Sequence, residues 1–108
     1  MTTTLQTLEA LEAELIQETY LFLQTIRDDA KTHNPEDIAD DDGRPCIDVR
    51  LQVLPSGDYS HRFGLGCYDD DHRGYWGSAS VGPDDDETTL IEMARDMVAQ
   101  VLDEASTD

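Results

Sequence analysis

Two short alternating segments on either side of a tight turn constrain the fold more than any other part of the chain. The turn is Leu54-Pro55-Ser56-Gly57-Asp58. Pro55 fixes φ at the first turn position and Gly57 accepts the left-handed conformation at the third, a pattern typical of a three-residue hairpin loop with a glycine bulge. The sequence therefore predicts a β-hairpin with strands over 46–54 and 58–66.

The turn also predicts the register of the hairpin. If Leu54 faces Asp58, one face is almost wholly apolar, and its pairs are Val53 with Tyr59, Leu51 with His61, Val49 with Phe63 and Ile47 with Leu65. The other face carries Asp48, Arg50, Gln52, Ser60, Arg62 and Gly64. A slip of one residue would move every side chain to the opposite face. In this register the side chains of Cys46 and Cys67 fall on opposite faces of the hairpin, so two reduced thiols are expected rather than a disulfide.

A long amphipathic helix over 4–33 is predicted before the hairpin, because apolar residues recur at helical spacing up to Asn34-Pro35. At about 1.5 Å per residue, a helix of this length is longer than a strand of eight residues. The overhanging Leu5, Leu8 and Leu11 then need a cover: the second helix, another copy of the chain or a target protein. Glu12 falls in the same stripe, and either reaches water or pairs with an arginine at a subunit contact.

A third strand over 75–81 and a last helix over 85–105 complete the pattern. In the strand, either Gly77 faces inward and admits a helix at close range while Trp76 faces outward, or Trp76 belongs to the core. The acids of 84–87 suit a helix N-terminus. We therefore expect one α+β domain over 1–108, αβββα, with two helices packed on one face of a three-stranded antiparallel meander.

The order of these elements resembles the topology of the double-stranded RNA-binding domain. That family uses basic residues at the start of its last helix to meet phosphates. Acids occupy the corresponding positions here, namely Asp84, Asp85, Asp86 and Glu87. RNA binding is therefore not expected.

The charge balance narrows the function classes. The chain of 108 residues has a formal charge of -18, from 25 acids against 7 lysines and arginines. Such a charge argues against binding a phosphate backbone and favours cationic partners. Lys31 is the only lysine, and an acidic, lysine-poor composition is also expected of proteins kept soluble in concentrated salt.

Catalytic and metal-binding motifs are missing from the sequence. It contains no Cys-x-x-Cys, His-Glu-x-x-His, glycine-rich phosphate loop or nucleophile elbow, so neither enzymatic activity nor a cofactor is expected. Asp40-x-Asp42-Gly43 fails as a calcium loop because Ile38 and Val49 stand where acids are needed. The remaining metal candidates are Asp69, Asp71 and His72, next to Asp70. His61 is expected as an interior or edge residue.

A local resemblance supplies context. The stretch Tyr68-Asp69-Asp70-Asp71-His72-Arg73-Gly74-Tyr75-Trp76-Gly77-Ser78 resembles one in small uncharacterised acidic proteins carried by bacterial plasmids, phages and integrative elements. The resemblance implies a mobile-element setting, where small acidic proteins include DNA mimics and inhibitors of restriction or CRISPR systems. It implies no catalytic residues.

Together these observations favour a small acidic binding or inhibitor protein that mimics nucleic acid toward a basic partner. The expected partner-binding residues are Asp85, Asp86, Glu92, Asp96, Asp103, Trp76 and Arg73. The alternatives are a salt-adapted domain and a metal-binding regulatory domain. A homodimer is also open, given the overhanging leucines and the neighbouring Arg50 and Arg62. Without a signal segment or an apolar run of about 20 residues, a cytoplasmic location is expected.

Overall fold

A computed structural model describes residues 4–64 and 73–107 of the protein. Within them the predicted order of helix, three strands and helix is confirmed, and the protein is α+β. The elements are α1 (Thr4–Ala10), α2 (Glu12–Ala30), a 3-10 turn (Pro35–Asp37), β1 (Ile47–Val53), β2 (Tyr59–Gly64), β3 (Tyr75–Val81) and α3 (Glu87–Ser106). The three strands form one antiparallel sheet, and the helices pack on one face of it.

The predicted hairpin and its register are confirmed. Val53 pairs with Tyr59, Leu51 with His61 and Val49 with Phe63. The turn closes with the Leu54 N–H donating to the Asp58 carbonyl at 2.7 Å, and Gly57 has φ +97°. A residue with a Cβ is strained at that angle, which is why glycine stands there. The expected pair of Ile47 with Leu65 lies outside the described residues.

The predicted meander is wrong, because the strand order is β2-β1-β3. β3 pairs with β1, from Ile47 opposite Val81 to Val53 opposite Tyr75. β1 takes the central position because its core-facing side chains are large and apolar, and each is at most 4% exposed. The β1–β2 connection carries a tight-turn motif that makes these two strands neighbours. The longer connection over 65–74 permits β3 to pair with either strand, so sequence order alone was a poor guide here.

The first helix differs from its predicted extent. It is divided at Leu11, whose N–H donates to the Leu8 carbonyl at 3.0 Å in one tightened turn, and α2 ends at Ala30 rather than 33. Glu12 is exposed, as the first of the two alternatives for it predicted. Leu8 is fully buried, and α1 packs against α3. The last helix, α3, therefore covers the overhanging end of the first, so the leucines there give no reason to expect a dimer.

α3 lies directly on β3. Of the two alternatives for β3, the one in which Gly77 faces inward is confirmed: Tyr75, Gly77 and Val81 are buried, and the α3 backbone at Met97 lies against Gly77. Trp76 is therefore on the opposite side of the sheet, and its assignment to the core is wrong. That side, called here the open face, consists of Asp48, Arg50, Gln52, Ser60, Arg62, Gly64, Trp76, Ser78 and Ser80.

Candidate protein-binding surfaces

The carboxylates of the protein are distributed unevenly. Four of the 25 acids, namely Asp69, Asp70, Asp71 and Asp108, lie outside the described residues, which leaves 21 acids, against all 7 lysines and arginines. The described part therefore carries a net charge of -14. Of those 21 acids, only Asp48 stands in a strand. The helices and connections carry the acidity, and the sheet is nearly free of it.

Three of the predicted partner-binding acids form an exposed row on α3. Glu92, Asp96 and Asp103, called here the α3 acids, are all exposed. Asp96 accepts a hydrogen bond from the Gln100 amide at 3.0 Å. Glu92 and Asp96 lie one turn apart, so they repel each other. Among the described residues no ion pair involves any of the α3 acids, so their charge faces solvent.

Asp85 and Asp86 are engaged in the local structure at the start of α3. The Asp85 carboxylate accepts a hydrogen bond from the Gly82 N–H at 2.8 Å and pairs with Arg44 at 3.4 Å. Asp86 is the N-cap of α3, and its carboxylate accepts from the Thr89 N–H at 2.8 Å. This bond lowers the pKa of Asp86. Both side chains therefore have a structural role. Of the α3 acids, Asp96 has a smaller one through its bond to Gln100.

Trp76 and Arg73 are not on the same face as the α3 acids. Trp76 is opposite Gln52 on the open face, and the Gln52 amide donates to the Arg73 carbonyl at 2.6 Å. Arg73 is exposed and Trp76 half-buried. α3 packs on the other face of the sheet. The seven predicted residues therefore fall into three groups, at the start of α3, along α3 and on the open face.

The metal candidates Asp69, Asp71 and His72 lie outside the described residues. Among residues 4–64 and 73–107 no group of three His, Cys, Asp or Glu side chains is arranged to hold a metal ion. The Asp40 carboxylate accepts from the N–H groups of Asp42 and Arg44 at 2.9 and 2.8 Å, so it shapes its own turn. Cys46 is buried with a free thiol, and burial raises the pKa of that thiol. Cys67 is also outside the described residues.

The outer edge of β3 is covered by side chains of α3, which the sequence did not reveal. The Glu104 carboxylate accepts from the Trp76 N–H at 2.8 Å. The Gln100 amide accepts from the Ser78 N–H at 3.1 Å and donates to the Ser78 carbonyl at 3.0 Å. Glu104 and Gln100 are four residues apart, the spacing that places two side chains on one helix face. The spacing is visible in the sequence, but it identifies these two side chains as the cover of the β3 edge only once α3 is known to lie beside β3.

A cluster on the core side of β2 was also missed. The His61 ring stacks on Phe22 with centroids 5.0 Å apart, and its Nε2 lies 2.8 Å from the hydroxyl of the fully buried Thr19. Burial lowers the pKa of His61. Phe63, the next residue on this face, is 53% exposed. His61 is thus an edge residue with a partner, as expected, but the helix residues beside it could not be named from the sequence.

Comparisons with protein-family models, with curated proteins and with solved structures found no match. In the described part of the chain, no helix combines the length and apolar character needed to cross a membrane.

Proposed function

We propose that the protein is a small acidic binding or inhibitor protein that occupies a nucleic-acid-binding site on a basic partner. The observation that carries this proposal is the concentration of exposed carboxylates on the helices and connections, with Asp48 alone in the strands of the described part. Phosphate sites on proteins are lined by lysine and arginine. A surface that presents many unpaired carboxylates competes for such sites.

The density of charge supports the same proposal. The molecule is 50 Å long in its longest dimension, so a net charge of -14 corresponds to about one charge per 3.6 Å. One strand of a DNA duplex carries about one charge per 3.4 Å. The described part of the protein therefore matches one strand in linear charge density, although its charges are spread over a wider surface.

The α3 acids are the centre of the proposed surface. They are exposed and unpaired among the described residues, whereas Asp85 and Asp86 are engaged at the helix start. Attraction to a basic partner is strongest at low salt, because the screening length falls from about 30 Å at 0.01 M to about 8 Å at 0.15 M. Partner choice then depends on shape as well as charge, and Trp76 and Arg73 serve a separate contact on the open face.

The proposed class is that of anti-restriction or anti-CRISPR inhibitors that act by nucleic-acid mimicry, a mode of action that needs neither catalysis nor a cofactor. The mobile-element resemblance of residues 68–78 favours this class. The second candidate, a salt-adapted domain, is favoured by the single lysine and the net charge of -18. It predicts acids over the whole surface, however, and the nearly acid-free sheet is a reason to prefer a directed surface.

The proposal is tested by capturing partners from host lysate with the tagged full chain at about 0.05 M and about 0.15 M salt, and identifying what is retained by mass spectrometry. The expected result is one basic protein that competing DNA displaces. Recovery of no basic protein at either salt, from a bait shown to be folded, would contradict the proposal and favour the salt-adapted domain.

A further inference from the structure

The two outer edges of the sheet differ in a way that points to a second interaction surface. In β3 the edge N–H groups of Trp76 and Ser78 are bonded by side chains of α3. Along an antiparallel ladder, hydrogen-bonded pairs alternate with pairs that are not hydrogen-bonded. Counting from the bonded pair Leu54–Asp58, the β2 residues bonded to β1 are Ser60, Arg62 and Gly64. The N–H and C=O groups that point outward are therefore those of Tyr59, His61 and Phe63.

The described part of the chain supplies no partner for these outward groups of β2. Among residues 4–64 and 73–107 no strand lies outside β2, and the backbone N–H groups of Tyr59, His61 and Phe63 donate no hydrogen bond. An open edge of this kind is a template for another strand. The strand is also apolar on its core side, where Phe63 is 53% exposed beside Phe22.

The charge of β2 decides which occupant fits. β2 contains no acid and one arginine, Arg62, in a chain with a net charge of -18. A basic partner of the kind proposed above is attracted to the acidic helices and not to this strand. Two copies of the chain repel each other over most of their surfaces, but they can approach along a strand that itself contains no acid. The nearest carboxylate recorded at this edge is that of Glu14 in α2, which accepts a hydrogen bond from the Tyr59 hydroxyl at 3.5 Å.

The sequence of β2 is complementary to itself. When two copies run antiparallel with His61 opposite His61, the outward-bonding residues of each copy face one another. Tyr59 then lies opposite Phe63 of the second copy, and Ser60 opposite its Arg62. This register joins aromatic side chains on the core side and sets each arginine opposite a serine on the open face. A register centred on Arg62 would place the two arginines opposite each other, which is unfavourable.

We propose that β2 is a dimerisation edge, at which two copies join their sheets into one of six strands. The contact is isologous, as in most two-fold dimers. All helices remain on one face of the joined sheet, so the two acidic surfaces lie side by side. The inference does not rest on the proposed function, since the contact is made by β2 and not by the α3 acids.

The test is the oligomeric state of the full chain by light scattering after size exclusion, at about 0.15 M and about 1 M KCl. A dimer is expected, and it is expected to be tighter at the higher salt because repulsion between acidic copies is screened. Phe63→Asp is expected to raise the dissociation constant at least about tenfold, since it places a charge against an aromatic neighbour. Phe63→Ser provides a milder variant if Phe63→Asp perturbs folding.

Leu21→Asp is the matched control. Leu21 is 44% exposed, close to the exposure of Phe63. It is two residues from both Thr19 and Leu23, which are buried, so at about 100° per residue it points away from the sheet. Leu21→Asp adds the same charge as Phe63→Asp and is expected to leave the dimer intact. Hydrogen exchange at Tyr59, His61 and Phe63 is expected to slow as the protein concentration rises.

A monomer at both salt concentrations would overturn the proposal. So would a dimer that Phe63→Asp and Leu21→Asp weaken equally, or one in which the three β2 amides exchange at a rate independent of concentration. Loss of the dimer would not by itself affect capture of a basic partner through the α3 acids, so failure of this inference and failure of the proposed function are distinguishable.

Discussion

Gly77 of β3 faces the main-chain carbonyl of Met97 in α3, with no space for a side chain between them. This contact holds the last helix directly against an edge strand. It also places Gln100 and Glu104, one and two turns further along α3, beside the Ser78 and Trp76 N–H groups that they bond. The absence of a Cβ at one position thus determines both the packing of α3 and the covering of the β3 edge.

Gly77→Ala is expected to destabilise the protein by about 1–3 kcal/mol, because a methyl group there forces α3 away from β3. Chemical denaturation monitored by circular dichroism measures the change. Ser78→Ala is the control, since its exposed side chain faces away from α3 and a change within about 0.5 kcal/mol is expected. Equal effects of the two substitutions would mean that the contact is not close.

The hydroxyl of the buried Thr19 and the half-buried His61 ring form a polar contact that can be tested separately. Thr19→Val keeps the shape of the side chain but leaves His61 Nε2 without its partner at 2.8 Å, and we expect a loss of about 1–3 kcal/mol in the free energy of unfolding. Thr25→Val is the matched control, because the Thr25 hydroxyl bonds the Leu21 carbonyl on the exposed side of the same helix. A loss no larger for Thr19→Val than for Thr25→Val would show that the Thr19 contact contributes nothing.

His61 gives the stability a defined dependence on pH. Burial lowers its pKa from 6.5, so between the unfolded and folded pKa values the unfolded chain binds more protons. The contribution of neutral His61 to the free energy of unfolding is therefore fully present above about pH 6.5. It is lost as the pH falls from there through the lower pKa of the folded state. We expect His61→Phe to remove this component, measured as the difference from the wild-type protein in denaturation between pH 7.5 and pH 5, about the usual histidine range.

His33→Gln is the control for that measurement. His33 is exposed and lies 3.5 Å from Asp29, so its removal leaves the His61 component in place. If the free energies of unfolding of the wild-type protein and of His61→Phe changed with pH in parallel over the whole range, the pKa of His61 would be the same in the folded and unfolded states.

The sequence predicted those parts of the fold that depend on neighbouring residues. Pro55 and Gly57 specify a turn, the turn specifies a register, and the pairs from Val53–Tyr59 to Val49–Phe63 follow. The inward orientation of Gly77 was one of two alternatives, because alternation along a strand does not say which face is buried. Strand order failed for a related reason. It depends on which edges compete for pairing with β1, a property of the assembled sheet.

The candidate site was less predictable than the fold. The exposure of Glu92, Asp96 and Asp103 follows from helical spacing, but the engagement of Asp85 with Gly82 and Arg44 depends on residues 3 and 41 positions away. The contrast between a covered β3 edge and an open β2 edge likewise appears only when α3 is placed beside β3. Long-range contacts of this kind have no local signal in the sequence.

Folding at low salt separates the two leading functions. A protein that is steered to a basic partner at low ionic strength must be folded there, so we expect the native circular dichroism spectrum and cooperative thermal unfolding at about 0.05 M salt. A chain that is unfolded at this salt and folds only in molar potassium chloride would instead be a salt-adapted domain, because its self-repulsion must be screened before the compact state persists.

The most direct test of the proposed mimicry compares partner capture by three baits at about 0.15 M salt. The first bait is the wild-type protein. The second, the α3 variant, combines Glu92→Gln, Asp96→Asn and Asp103→Asn. The third is a charge-matched control that combines Glu36→Gln, Asp41→Asn and Asp42→Asn in the exposed connection. Three contacts worth about 0.5 kcal/mol each predict about a tenfold loss of the retained basic protein for the α3 variant and a smaller loss for the control. Retention of that protein at the wild-type level by the α3 variant would contradict the account.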